Sequence, residues 1–314
     1  MTKLPLAIRL AAPRGFCAGV TRAIQIVETC LEKYGAPVYV RHQIVHNQHV
    51  VRDLEARGAI FVKELDEVPD DRPVVFSAHG IPQAVTMEAE RRDLVYFDAT
   101  CPLVTKVHKS ASRYSVAERM VILIGHAGHP EVVGTLGQLP SGRIALVESV
   151  EDVMALDFPA DQPLAYITQT TLSVDDTATI VAALKQRFPE ILGMAERDIC
   201  YATTNRQNAV KTIAPDCDGL IVIGASNSSN SRRLVEVAQA NGCPDALLLS
   251  DAGELDPDWL SDKTVVGITA GASAPDILVR QLIEACGESR ELTVEEVEIT
   301  REDARFRLPR GLEA

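Results

Sequence analysis

Three cysteines occupy equivalent positions along the chain, each directly after a predicted strand and at the start of a predicted helix. They are Cys17 in GFCAG, Cys101 in ATCPL and Cys200 in DICYA. A helix N-terminus stabilises a thiolate, because its unpaired N–H groups carry partial positive charge. The three are too far apart in sequence for a local CxxC knuckle, so their sulfurs could meet only through the tertiary fold. We interpret them as candidate ligands of one soft metal centre.

Cuboidal iron–sulfur clusters are held by cysteine thiolates. With three thiolates and no equivalent fourth cysteine, one iron of a 4Fe-4S cluster would lack a protein ligand. Such an iron could bind a substrate oxygen as a Lewis acid and deliver electrons to it. Zinc held by three cysteines and one histidine is the competing interpretation, although zinc sites normally use closely spaced pairs. The remaining cysteines do not recur in register and are predicted to be buried packing residues: Cys30, Cys217, Cys243 and Cys286.

A second set of residues is suited to binding an anion. The run SNSSNS, which contains Ser228, Ser229 and Asn230, precedes the predicted helix RRLVEVAQA. Backbone N–H groups and short polar side chains at a helix N-terminus bind anions, whereas capping alone needs one such residue. Three histidines lie just past predicted strands in matching loops, and we predict that they surround a diphosphate: His46, His79 and His129. The other four histidines are interpreted as structural: His42, His49, His108 and His126.

One carboxylate, Glu131, lies within the GHAGHPE loop. It is either a negative charge that the helix dipole stabilises at a helix N-terminus, or a group that passes a proton to a departing hydroxyl. In the second case Thr170 would assist through a hydrogen bond. The spacing leaves both interpretations open.

The elements that would position these residues recur three times in one order: strand, turn, helix, strand, helix, short strand, acidic stretch and strand. Apolar β-branched runs that alternate with helix-period segments predict parallel strands covered by helices. We therefore predict an α/β fold of three small domains with parallel sheets, in pseudo-threefold arrangement around a central iron–sulfur cluster. The predicted domains are residues 1–97, 98–196 and 197–286. A charged tail, 287–314, has no helix period and is expected to be either an extended strand or mobile.

Bulk properties exclude several classes of function. The 314-residue chain has a formal net charge of -13, which argues against nucleic-acid binding. No run reaches the roughly 18 apolar residues of a membrane span, and the N-terminus has no long apolar region, so a cytoplasmic location is expected. Seven cysteines without a secretion signal are expected to be free thiols. We expect a monomer or a weak homodimer.

Several motifs together resemble the 4-hydroxy-3-methylbut-2-enyl diphosphate reductase family. They are GFCAGVTRAI, VHN, FSAHG, FDATCPLVTKVH, GHAGHPE, TQTTLS, ICYATTNRQ, NSSNS and TAGASAPD. The resemblance spans roughly residues 8 to 285 and includes all three repeats. Only the tail after Cys286 falls outside it.

The resemblance implies a function and a set of site residues. A 4Fe-4S cluster on Cys17, Cys101 and Cys200 would bind the substrate hydroxyl at its open iron, and oxidative loss of that iron would give 3Fe-4S. Two electrons and two protons would expel water and give isopentenyl and dimethylallyl diphosphates. The implied catalytic residues are Glu131, Thr170 and His129. The implied substrate-binding residues are His46, His79, His129, Thr170, Ser228, Ser229, Asn230 and Ser273.

The chain has no nucleotide-binding GxGxxG fingerprint, so electrons are expected from a partner such as ferredoxin or flavodoxin. Two other functions compete with the reductase. One is a zinc-dependent phosphate-ester hydrolase, and the other is a non-catalytic iron–sulfur redox protein.

Overall fold

The computed structural model describes residues 3–159, 161–193 and 198–313. Within these ranges the strands form three sheets, and every strand pairing is parallel. The predicted α/β class with parallel sheets is therefore confirmed. The chain divides into two compact units: unit 1 is Met1–Ala18, His46–Val50 and Tyr201–Ala304, and unit 2 is Gly19–Val45, Val51–Cys200 and Arg305–Ala314.

Unit 1 contains a five-stranded sheet. Its strands are β1 (Leu4–Ala12), β10 (Gly219–Ile223), β11 (Ala246–Leu249), β12 (Val265–Ala270) and β13 (Arg290–Glu298). Their order is β11-β10-β12-β1-β13. Its helices are α8 (Tyr201–Ile213), α9 (Ser229–Ala240) and α10 (Asp276–Ser289).

The central strand β10, GLIVI, is buried at every residue, because helices cover both faces of this sheet. Side chains alternate along a strand, so the sheet has two separate cores. On one face Ile221 packs in the same cluster as Leu278 and Leu282 of α10. On the other, Leu220 and Val222 pack with the residues of α8 and α9.

Unit 2 contains two four-stranded sheets. The first has β2 (Val38–Arg41), β3 (Ala59–Val62), β4 (Val74–Phe76) and β5 (Tyr96–Asp98), in the order β3-β2-β4-β5. The second has β6 (Met120–Ile124), β7 (Ile144–Val147), β8 (Leu164–Thr168) and β9 (Leu192–Gly193), in the order β7-β6-β8-β9. The connecting helices are α1 (Ala18–Tyr34), α2 (Gln48–Ala56), α3 (Gln83–Arg91), α4 (Pro102–Val116), α5 (Pro130–Leu136), α6 (Val150–Ala155) and α7 (Val174–Arg187). None of the helices in the described ranges is long and apolar enough to cross a membrane.

Four strands follow the same order in all three sheets, and the sheet of unit 1 has β13 in addition, which supports the threefold repeat. The pairing nevertheless differs from the repeats in one respect. The strands that open the first two repeats join the sheet of another repeat: β1 pairs with β12, and β5 pairs with β4. Strands β5 and β9 each form one edge of their sheet. Strand β1 instead lies between β12 and β13. The domain boundaries at 97, 196 and 286 stay predictions, and the boundary at 196 lies outside the described residues.

The tail contains a regular strand. Helix α10 continues three residues past Cys286 to Ser289, and β13 then pairs with the whole of β1, from Leu4 beside Arg290 to Ala12 beside Glu298. Of the two alternatives expected for the tail, the extended strand applies to residues 290–298.

Candidate functional site

The predicted site residues follow strands in a regular pattern. In open parallel sheets, ligands bind past the carboxyl ends of the strands where the strand order reverses. In each sheet that reversal lies between two central strands, which are β2 and β4, β6 and β8, and β10 and β12. Each central strand is followed within six residues by a predicted binding residue: His46, His79, His129, Thr170, Ser228 and Ser273.

The three candidate cluster ligands each lie immediately before a helix. Cys17 precedes α1, Cys101 is the N-cap of α4, and Cys200 precedes α8. All three are partly exposed thiols, whereas the other four cysteines are buried thiols. Burial raises the pKa of Cys30 and Cys217 to about 12 and that of Cys286 to about 11, so these thiols stay protonated. The donor set that fits a thiolate-bound cluster is therefore distinct from the packing cysteines.

In unit 2, Glu131 is bonded to the loop that leads to Cys200. Its side chain is only 3% exposed. One carboxylate oxygen accepts from the Thr170 backbone N–H at 2.6 Å, and the other accepts from the Thr170 hydroxyl at 2.9 Å. The carbonyl of Thr170 in turn accepts from the Cys200 backbone N–H at 3.1 Å. The carboxyl group and this cysteine are thus joined through one residue.

Burial raises the pKa of Glu131 to about 7, and the two Thr170 hydrogen bonds oppose that shift only in part. A carboxyl group with this pKa exchanges a proton near neutral pH. Glu131 lies in the first turn of α5, as the helix N-terminal interpretation predicts, and its burial also suits the proton-transfer interpretation, so both stay predictions.

His129 and His79 lie on the same side of unit 2. The His129 side chain caps α5, with Nδ1 accepting from the Glu131 N–H at 3.2 Å, so a neutral imidazole carries its proton on Nε2. The rings of His79 and His129 are 6.2 Å apart between centroids. The carbonyl of Ala78 accepts from the Cys101 N–H at 2.9 Å. Unit 2 therefore gathers six predicted site residues: His79, Cys101, His129, Glu131, Thr170 and Cys200.

A glycine allows helix α5 to lie close to the backbone that follows His79. A Cβ on Gly134, in α5, would lie 2.9 Å from the carbonyl carbon of Gly80 and 3.1 Å from the nitrogen of Ile81. Only a residue without a side chain allows the helix to pack this near the backbone that follows His79.

In unit 1, the start of α9 forms a tightly packed polar turn. The Ser228 side chain caps the helix by accepting from the Ser231 N–H at 3.3 Å. Ser231 is fully buried between Gly224 and Gly271, where a Cβ at either glycine would overlap its side chain. Asn230 is 4% exposed, and neither its Oδ1 nor its Nδ2 has a hydrogen-bond partner among the described residues. A buried amide without partners is costly unless a ligand completes its hydrogen bonds.

Two further loops of unit 1 adjoin this turn. The Ser273 hydroxyl donates to the His46 carbonyl at 2.9 Å, and the Asn227 side chain lies 3.3 Å from Nδ1 of His46. The Cys17 N–H donates to the Ala272 carbonyl at 3.2 Å, so the cysteine loop is bonded next to Ser273. Burial lowers the pKa of His46 to about 4. Unit 1 thus gathers Cys17, His46, Ser228, Ser229, Asn230 and Ser273.

Two arginines that support the cysteine loops were missed by the sequence analysis. Arg206, fully buried in α8, donates to the Gly15 carbonyl at 2.7 Å and pairs with Glu302 at 3.0 Å. Arg22, in α1, donates to the Thr100 carbonyl at 3.1 Å and to the Arg307 carbonyl at 2.7 Å. Arg22 follows Cys17 by five residues and bonds the backbone just before Cys101. Arg206 follows Cys200 by six residues and bonds the backbone just before Cys17. That spacing was the available signal.

Within residues 3–159, 161–193 and 198–313, no three His, Cys, Asp or Glu side chains converge closely enough to hold a single metal ion. The thiolates of a cuboidal cluster bind different irons, and a cluster therefore does not require such convergence.

Comparison with known proteins gives a consistent result. The family model described as LytB protein matches residues 8–286. The chain is 62% identical to the 4-hydroxy-3-methylbut-2-enyl diphosphate reductase of Hyphomonas neptunium, covering 99% of both chains. It is 61% identical to the enzyme of the same name from Cereibacter sphaeroides, covering 99% of this chain and 98% of the relative.

Solved structures agree with the sequence relatives. A reductase structure from Plasmodium falciparum has a TM-score of 0.92 and 39% identity, covering 99% of this chain and 97% of that one. A second, described as the terminal enzyme of the non-mevalonate pathway, has a TM-score of 0.65 and 33% identity, covering 90% of this chain and 99% of that one. With a family model that matches most of its length and relatives this similar, the chain belongs to the LytB protein family.

Proposed function

We propose that this chain is an oxidoreductase that converts (E)-4-hydroxy-3-methylbut-2-enyl diphosphate to isopentenyl and dimethylallyl diphosphates, the last step of the methylerythritol phosphate route. Its relatives of about 60% identity carry the name of that reductase. The observation that carries the proposal is the buried Glu131, which is bonded through Thr170 to the backbone of Cys200. This arrangement supports a proton donor beside a cluster ligand.

The reaction consumes two electrons and two protons and releases one water when the C–O bond breaks. A 4Fe-4S cluster on Cys17, Cys101 and Cys200 would supply the electrons and an open iron that acts as a Lewis acid. Three partly exposed thiols at helix N-termini support this ligand set. Loss of the open iron in air would give 3Fe-4S.

Glu131 supplies the proton to the departing hydroxyl. Its raised pKa keeps a substantial fraction protonated near pH 7, whereas an ordinary glutamate would be ionised. Thr170 fixes the carboxyl group through two hydrogen bonds, so that the group does not need to reorient during proton transfer. His129, whose ring caps the helix that carries Glu131, would offer its Nε2 proton to the substrate.

The diphosphate is held by backbone and side-chain donors rather than by a cluster of lysines. Ser228, Ser229 and Asn230 lie at the N-terminus of a helix of 12 residues, which favours negative charge. The unsatisfied amide of Asn230 would gain its hydrogen bonds from the ligand. Ser273, His46, His79 and His129 complete the proposed donor set.

An external protein, such as ferredoxin or flavodoxin, would deliver the electrons. We propose that the enzyme acts in the cytoplasm as a monomer or weak homodimer.

The decisive experiment is an anaerobic assay of the reconstituted protein with dithionite, methyl viologen and the hydroxylated diphosphate. We expect both C5 diphosphate products by mass spectrometry, with four irons and four sulfides per chain. A protein with a full cluster but no turnover would instead be a non-catalytic redox protein. Bound zinc without iron, together with phosphate release, would favour the hydrolase.

A further inference from the structure

Helix α4 presents a group of cations beside Cys101. In its 15 residues, Pro102–Val116, it contains Lys106, Lys109 and Arg113 and no carboxylate. All three side chains are exposed. They are spaced by three and four residues, which places them on one face of the helix. We call these three residues the α4 basic face.

The α4 basic face borders a cleft in unit 2 with a volume of about 640 Å³. Thr100 and Asp98, just before Cys101, line this cleft, and so does Asp198, two residues before Cys200. None of the proposed diphosphate-binding residues lines it. The cleft is therefore separate from the predicted substrate donors but next to the backbone of two candidate cluster ligands.

Charge makes this face unusual in its own chain, which has 44 acidic and 31 basic residues. Other exposed arginines are paired, such as Arg91 with Glu88 and Arg301 with Glu298. By contrast, Lys109 and Arg113 form no ion pair with a carboxylate in the part of the chain that the structure describes, although the charges of Lys106 and Arg113 act on Asp198, which lines the cleft. Arg113 instead lies over the ring of Tyr114, at 5.2 Å from its centroid.

The helix also keeps the cations near the proposed cluster. At a rise of about 1.5 Å per residue, Lys106 and Lys109 lie on the order of 8 and 12 Å along the axis from Cys101. A protein docked on this face would therefore hold its redox group close to a cluster ligand.

We propose that the α4 basic face and its cleft are the docking site for a small acidic one-electron carrier, an iron–sulfur or flavin protein. This inference rests on the proposed function, which needs two single-electron deliveries per turnover. Complementary charge accelerates encounter between proteins and fixes their orientation, most strongly at low ionic strength. In an acidic enzyme, a local basic face overcomes the general repulsion of an acidic carrier.

The test compares two electron sources on anaerobic, reconstituted holoenzyme. The variant Lys109→Glu/Arg113→Glu is assayed with a reduced bacterial flavodoxin or ferredoxin and separately with dithionite and methyl viologen. We expect kcat/KM for the protein carrier to fall at least about tenfold and its salt dependence to weaken, because steering is lost. Turnover with viologen should stay within about twofold of the wild type, since a small reductant needs no docking.

The matched control is Arg52→Glu/Lys185→Glu. It reverses one arginine and one lysine, both exposed on helices of the same unit, and changes the net charge equally. This control should retain its carrier-dependent rate. An equal loss in both double variants would mean that only total charge matters and would overturn the proposed site.

Two other results would also overturn it. An unchanged carrier-dependent rate in Lys109→Glu/Arg113→Glu would mean that the carrier docks elsewhere or that the face binds a different anion. A parallel loss with viologen would mean that these residues serve folding or chemistry.

If the wild type fails with viologen, the proposed function fails instead. Direct binding of oxidised flavodoxin or ferredoxin to wild type and variant, measured by calorimetry, then still tests the docking site.

Discussion

In the proposed mechanism, proton transfer depends on the carboxyl group of Glu131. It is buried, held by two hydrogen bonds from one threonine, and has a pKa of about 7. As a proton donor it must be protonated, so its contribution is complete well below pH 7 and is lost as pH rises through that value. If Glu131 is the proton donor, the burial that raises its pKa also sets the pH range of activity.

Glu131→Gln should retain the cluster and bind substrate but lower kcat by about 10² to 10⁴-fold, because the amide cannot donate an ionisable proton. In the wild type, kcat should decline as pH rises through about 7, and the residual activity of the variant should lack this decline. Steady-state rates with viologen from pH 6 to 9 check both. A variant rate near the wild-type value would assign the proton donor to another residue.

The seven cysteines should separate into two groups when replaced by alanine. Cys101→Ala should lose most bound iron, because one anchoring thiolate is missing. Cys30→Ala, at a buried position in α1, should keep the iron content and lose only folding stability. Iron and sulfide analysis after identical reconstitution distinguishes the two, and normal iron in Cys101→Ala would remove that residue from the ligand set.

Sequence reasoning worked well at this scale because the cysteine positions follow from local features. A thiol at the start of a helix can be recognised from a short window, and the structure places Cys17, Cys101 and Cys200 immediately before helices. The two supporting arginines could not be recognised from a short window. Arg206 resembles any cation of an amphipathic helix in sequence, and only the tertiary fold brings Gly15 and Glu302 to it.

At the scale of elements, buried hydrogen bonds hold the loops that carry the cysteines. Arg206 has no exposed side-chain surface, and its guanidinium donates to three carbonyls, those of Gly15, Phe16 and Ala202, and to one carboxylate. A planar fork with several donors is needed for such an arrangement, and lysine does not provide it. The geometry of the Cys17 loop therefore depends on a residue of another helix.

Arg206→Lys should lower the free energy of unfolding by about 2 to 4 kcal/mol, because it leaves buried acceptors unsatisfied. It should also reduce iron occupancy. The control Arg301→Lys affects an exposed ion pair with Glu298 and should cost less than about 1 kcal/mol. Chemical denaturation of both variants measures the difference, and equal stabilities would contradict the supporting role of Arg206.

The start of α9 offers a steric test. Gly271→Ala would place a methyl group against the buried Ser231 hydroxyl and should cost about 1 to 3 kcal/mol of folding stability, with weaker diphosphate binding. In a Ser231→Ala background the same substitution should cost clearly less, because the clashing oxygen is gone. Thermal unfolding of the two single variants and the double variant gives the coupling. Strict additivity would show that the two residues do not press on each other.

The partners of β1 and β5 could not be read from sequence. Each begins a repeat as a strand of ordinary pattern, yet β5 pairs with β4 and β1 with β12. Hydrophobic periodicity predicts that a strand exists and which faces are buried, but not which sheet it joins. Pairing depends on crossovers and packing between distant segments.

At the scale of the whole molecule, the last residues contribute to stability although they lie outside the family match. The carbonyl of Arg307 accepts from Arg22, the carbonyl of Gly311 accepts from Lys33, and Leu312 is 2% exposed. The sequence predicted a tail without helical character but could not identify these contacts, because single backbone carbonyls leave no mark in composition.

Removal of residues 305–314 should lower Tm by several degrees, on the order of 2 to 8 °C, since apolar burial and two hydrogen bonds are lost. Iron occupancy should also fall, because Arg22 then holds the backbone before Cys101 less firmly. Calorimetry of the truncated and full-length proteins tests this. A matched substitution, Leu312→Ala, should give a smaller decrease in the same direction, and an unchanged Tm in both would show that the tail is dispensable.

The position of β1 between β12 and β13 also affects biosynthesis. Leu6, Ile8 and Leu10 leave the ribosome long before their neighbours on both sides, which follow only at residues 265–270 and 290–298. Strands β2 to β9 emerge in between. An apolar strand with two open edges thus persists until those neighbours are made, as a template for chaperones or for a neighbouring nascent chain. Ribosomes that stall before residue 290 would release a product prone to aggregation.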